Sequence, residues 1–148
     1  MTGAPRGLLG VAVVLAVGAS AAWADPLPTP VVKVTQQHPM VGAATGPTQV
    51  HLTVANWQLF SPSLFEPAPT QPPCGAGAAD ASISRTSVEI FDAASRKPLE
   101  SFCRLKRPAE LQDIVFTVTP AEKPKFVYVM VTDRKLKRRA ISAKAKVP

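Results

Sequence analysis

The chain has 148 residues, a formal net charge of +7, sixteen prolines, and only two cysteines and two histidines. One domain is the expectation for a chain of roughly 100 to 200 residues. So few and so scattered Cys and His residues argue against a zinc cluster, and no C-x-x-C pair offers thioredoxin-like chemistry.

The N-terminus reads as an export signal. Met1 to Gly7 carries a single charge, Arg6, and Leu8 to Gly18 is an unbroken apolar run. It closes on Ala22-Trp23-Ala24 before Asp25-Pro26, the n-region, h-region and A-x-A order of a cleaved signal peptide. The run is too short for a membrane span, which needs about 20 apolar residues. No twin arginine precedes it, so the general secretory route is expected, with a periplasmic or secreted destination. Cleavage removes Arg6, leaving 17 − 1 = 16 basic against 10 acidic side chains, a net of +6.

Residues 25–30 (DPLPTP) form a Pro-rich leader, expected to be extended and mobile. The single domain is expected over 31–148. Val31 to Thr35 favours β structure, and Gln36 to Pro47 reads as loop because Pro39, Gly42, Gly46 and Pro47 interrupt it. From Gln49 to Ala55, Val50, Leu52 and Val54 alternate with Gln49, His51 and Thr53, the pattern of a half-buried strand.

A long Pro/Gly-rich loop is expected over 61–83, because five prolines between Pro62 and Pro73 and a Gly/Ala stretch from Gly75 to Ala79 leave no room for regular structure. Cys74 lies within it and Cys103 beyond it; in an oxidising compartment the pair reads as a disulfide. Closing a loop of about 30 residues contributes ~3 kcal/mol in the chain-entropy account.

Strand signals then follow quickly. Ser84 to Phe91 is a strand, Asp92 to Lys97 a turn, and Pro98 to Leu105 a strand placing Leu99, Cys103 and Leu105 on one side. Pro108 to Gln112 suits one helical turn opened by proline. Ile114, Phe116 and Val118 alternate; Phe126 to Val131 is apolar on both faces, as in a strand covered on both sides. Arg139 to Val147 alternates Ile141, Ala143, Ala145 and Val147 against Ala140, Ser142, Lys144 and Lys146, an edge strand with lysines turned to water. About seven short strands with no long helical segment predict an all-β fold, a small immunoglobulin-like β-sandwich.

Catalytic signals are missing from the sequence. There is no G-x-S-x-G elbow or phosphate loop, and His51 falls on the polar face of its strand, so a non-enzyme without a cofactor is expected. The sharpest metal hypothesis is a periplasmic copper carrier, with His38 and Met40 close together and His51 across a hairpin; imidazole and thioether are copper donors.

The stronger expectation is a binding protein, an accessory or subunit of a cell-envelope protein complex. Its partner-binding residues would be Arg134, Lys135, Lys137, Arg138 and Arg139, clustered at a hairpin tip where their potential attracts anions. Leu64 and Phe65, on a stiff Pro-rich backbone, would be an apolar anchor. Another envelope protein is the expected partner, with anionic lipid or glycan as alternatives and nucleic acid set aside because of the compartment.

Overall fold

A computed structural model describes Gly3 and residues 25–39, 46–68, 70, 72–75, 77 and 79–148. Apart from Gly3, the signal peptide expected over 1–24 lies outside the described residues, as does Met40.

The described residues form two antiparallel sheets with only short 3-10 turns besides. Strands β1 (Val32–Pro39), β2 (Thr48–Val54) and β5 (Ile114–Val118) make one sheet in the order β1-β2-β5. The other has the order β4-β3-β6-β7, from β3 (Thr86–Asp92), β4 (Pro98–Phe102), β6 (Phe126–Asp133) and β7 (Arg138–Ile141). A short β8 (Ala145–Lys146) continues along the same side of β6. Adjacent strands β2 and β5 lie in one sheet, and their successors β3 and β6 lie adjacent in the other. This interlocking makes an immunoglobulin-like β-sandwich.

The core follows from alternation. Val50, Leu52 and Val54 of β2 and Ile114, Phe116 and Val118 of β5 face Val88 and Ile90 of β3 and Val127, Val129 and Val131 of β6. Each such side chain, fully buried, stabilises the fold by about 1.5–3 kcal/mol. Phe60, Leu64, Phe65 and Leu111 close the core from the 3-10 turns and their flanks.

Several expectations need correction. Strand β1 runs on through Gln36–Pro39, because Gln37, His38 and Pro39 pair with Val50, Gln49 and Thr48 beyond a bulge at Val34/Gln36. Proline is tolerated there because Pro39 ends an edge strand. The leader is docked: Leu27 packs on the core, and Asn56 accepts from Val31 N–H at 2.9 Å and donates to the Thr29 carbonyl at 2.9 Å.

Strand β6 is covered on one face only, since Val127, Val129 and Val131 are buried while Phe126, Tyr128 and Met130 are half-buried outside. There Tyr128 stacks on Phe91 with ring centroids 5.1 Å apart. The last strand is broken. Ser142 Oγ accepts the Val129 N–H at 2.9 Å, and its own N–H donates to the Val129 carbonyl at 2.8 Å. The break shifts the alternation by one residue, so Ala140 and Ser142 are buried before it and Ala145 after it, while Ile141 is 54% exposed. Lys144 and Lys146 do face solvent.

Within the Pro-rich stretch, Pro62–Phe65 forms a 3-10 turn and Pro67 bridges to Ser84, so regular structure does occur there. The disulfide Cys74–Cys103 is formed. Cys103 lies just past β4 and is half-buried, while Leu99 and Leu105 reach the core.

Candidate functional site

The basic run sits where the sequence places it, on the hairpin joining β6 to β7. The turn is built on Asp133, the last residue of β6. Its buried carboxylate accepts the N–H groups of Lys135 at 3.1 Å and Leu136 at 3.3 Å, the local capping for which Asp is favoured in turns. Lys137 closes the turn with a left-handed φ of 53°.

The same carboxylate receives a two-pronged contact from Arg85, Nε and Nη2 each at 2.9 Å, and a third from Arg138 Nε at 2.9 Å. Burial pushes the Asp133 carboxyl up, but the hydrogen bonds from Arg85, Arg138 and Leu136 N–H, with the Arg85 charge, outweigh it and hold the group at about 2. Hydrogen bonding to Asp133 likewise raises Arg85 above its ordinary value, against the cost of burial.

Beside the hairpin lie two more segments. Arg134 N–H donates to the Arg85 carbonyl at 3.0 Å, Arg85 N–H to the Glu66 carbonyl at 2.6 Å, and Ala68 N–H to the Ile83 carbonyl at 2.8 Å. Arg134 Nη2 donates to the Ser84 carbonyl, and burial lowers the Arg134 pKa. Between the segments lies a cleft of about 380 Å³ lined by Glu66, Arg85, Arg134, Lys135 and Lys137, with Pro67 and Ala68. Asp25 borders this region: Arg138 donates to its carbonyl, Ser63 to its carboxylate, and its charge acts on Arg85. Five cationic side chains (Arg138 included) thus meet three carboxylates, Asp25, Glu66 and Asp133, a surplus of two positive charges.

The expected docking residues separate into distinct groups. Lys135, Lys137 and Arg139 are exposed, Arg138 is half-buried against Asp133, and Arg134 is 6% exposed. Arg139 stands on the outer face of the sheet opposite Thr132, where it lowers the pKa of a Glu89 carboxyl that burial raises more strongly. Leu64 and Phe65 are corrected: at 0% and 2% exposure they belong to the core and cannot anchor a partner from this conformation. Their 3-10 turn directs them inward, where they cover the end of the sandwich.

The histidines do meet. The rings of His38 and His51 contact edge to face with centroids 5.9 Å apart, and His51 Nδ1 lies 2.8 Å from Asp113 Oδ1. Among the described residues no group of three or more His, Cys, Asp or Glu is gathered to hold a metal.

Sequence reasoning missed Arg85, Asp133 and Glu66. Asp133 carried a usable signal, an Asp directly before a charged turn between two strand patterns. Arg85 carried none, because it reaches its partner across 48 residues of sequence.

No described helix is long and apolar enough to cross a membrane. Compared with known proteins, the chain matches no family model, no curated protein and no solved structure.

Proposed function

We propose that this protein is an exported, non-catalytic binding module, an accessory or subunit of a cell-envelope protein complex, whose docking element is the β6–β7 hairpin. The observation that carries the reading is that Lys135 and Lys137 project from a turn whose backbone is pinned by buried Asp133, with Arg139 exposed beyond it on β7. A fixed cluster of like charges presents a positive field without the entropy cost of ordering a loop, and speeds encounter with an acidic face. Export is supported by the Ala22-Trp23-Ala24 leader pattern and fits the Cys74–Cys103 disulfide.

The test is capture of partners from a native envelope extract at two salt concentrations, with wild type and a Lys135→Glu/Lys137→Glu/Arg139→Glu variant. A stoichiometric partner lost on charge reversal, and released by salt, supports the reading. Equal capture by both proteins, independent of salt, overturns it.

A second reading, copper binding, is favoured by the meeting of His38 and His51 across β1 and β2. Two imidazoles need a further soft donor, for which the sequence offers Met40. Stoichiometric Cu(I) retention, lost in His38→Ala, supports it; protein that stays metal-free after incubation removes it.

A further inference from the structure

The cleft beneath the hairpin has features that a docking surface for a folded partner does not need. Two of its side chains, Arg85 and Arg134, are each 6% exposed, so their guanidiniums form walls and not a solvated fringe. Arg85 is fixed by its two-pronged contact with Asp133, and Arg134 by its bond to the Ser84 carbonyl. Lys135 and Lys137 stand at the rim. Asp133, engaged by Arg85, Arg138 and two backbone N–H groups, is counted in full in the surplus of two positive charges, which therefore stands beside the cleft.

We propose that this cleft is a binding site for a phosphate monoester. Arg85 spends its Nε–Nη2 edge on Asp133, so an anion's oxygens would meet its remaining N–H donors, held in fixed orientation, and the lysines as point charges that follow the ligand. About 380 Å³ lies at the lower end of small-ligand sites, too small for a folded protein's acidic face but sufficient for a phosphate with the group it esterifies. Glu66, the one acidic residue in the lining, repels a bare anion; a ligand with a hydroxyl beside its phosphate would offset that by donating to the carboxylate, which favours an ester over free phosphate. The ligand class is therefore a phosphorylated polyol or sugar, free or as the head group of a lipid.

This site shares Lys135 and Lys137 with the docking surface but not Arg139, which faces the other side of the sheet. The experiment follows backbone amide shifts of the full chain during titration with inorganic phosphate, glycerol 2-phosphate and acetate at constant ionic strength. Saturable shifts are expected at Ala68, Arg85 and Lys135, with glycerol 2-phosphate tighter than phosphate and acetate weakest. A Lys135→Ala/Lys137→Gly variant should bind about tenfold more weakly, the loss of one or two charge-assisted contacts. Glycine is chosen at 137 because φ is positive there, which keeps the turn folded. Arg139→Ala should leave phosphate affinity unchanged while weakening partner capture.

Non-saturating shifts scattered over all surface lysines, or unchanged affinity in the Lys135/Lys137 variant, overturn the proposal. Capture of an envelope partner without phosphate binding would sink the cleft alone, and the reverse result would sink only the docking reading. Co-sedimentation with vesicles carrying phosphatidylinositol 4-phosphate, a monoester beside free hydroxyls, but not with phosphatidylinositol vesicles, would assign the phosphate to a lipid. Binding of glycerol 2-phosphate without sedimentation would assign it to a soluble or glycan-borne ester.

Discussion

Arg85 and Asp133 face one another through two parallel hydrogen bonds of 2.9 Å, joining the residue just before β3 to the end of β6 with both side chains buried. A buried ion pair of this kind is a poor source of net stability, because desolvation offsets most of its attraction. Its value here is positional. It holds the basic turn and the lower wall of the cleft in one arrangement.

Removing one member leaves a buried charge unmatched. Asp133→Ala should therefore cost about 3–5 kcal/mol in urea denaturation. The double variant Arg85→Met/Asp133→Leu should cost less than Asp133→Ala alone. A loss under about 1 kcal/mol for Asp133→Ala would mean the pair does not organise the hairpin.

The same carboxylate sets an acid limit. Its folded-state pKa, about 2, lies below the ordinary 3.8, so the unfolded chain binds the proton more tightly. The resulting stability, about 2 kcal/mol, is fully present above roughly pH 4 and is lost as pH falls through about 2. Urea titrations across that window should show wild type losing more stability than Asp133→Asn. Parallel curves would contradict the lowered pKa.

The reassignment of Leu64 to the core is tested by comparison with Leu59, which is 63% exposed at the end of the preceding 3-10 turn. Leu64→Ala should cost about 2–5 kcal/mol, and Leu59→Ala should stay within about 0.5 kcal/mol of wild type. If Leu64→Ala folds normally and loses its partner, the anchor role expected from sequence returns.

Reduction of Cys74–Cys103 frees a separation of 29 residues and should lower stability by about 2–4 kcal/mol. Thermal unfolding with and without reductant measures it. An unchanged midpoint would show that segments flanking Cys74 are held by other contacts, the Pro67–Ser84 bridge first among them.

Period-two alternation made β2, β5 and the inner face of β6 legible, since burial of Val50, Phe116 or Val129 needs only a side chain on the correct side. The hairpin was legible because charges do not sit in the middle of buried strands. Alternation failed where backbone pairing changes the count, as at the Ser142 break, which reverses Ile141 and Ala140. It failed also where apolar residues on a Pro-rich segment fold inward, as Leu64 and Phe65 do. The cleft was invisible because its walls come from residues 66, 85 and 134, far apart in sequence. Local pattern carries no information about such meetings.

Arg138 joins two distant parts of the chain: its guanidinium bonds the Asp25 carbonyl as well as Asp133, a separation of 113 residues from Asp25. This contact couples fraying at the leader to opening of β7, since either breaks it. Local unfolding of the two should proceed as a single cooperative unit, with common amide-exchange rates for segments that lie in different parts of the strand order.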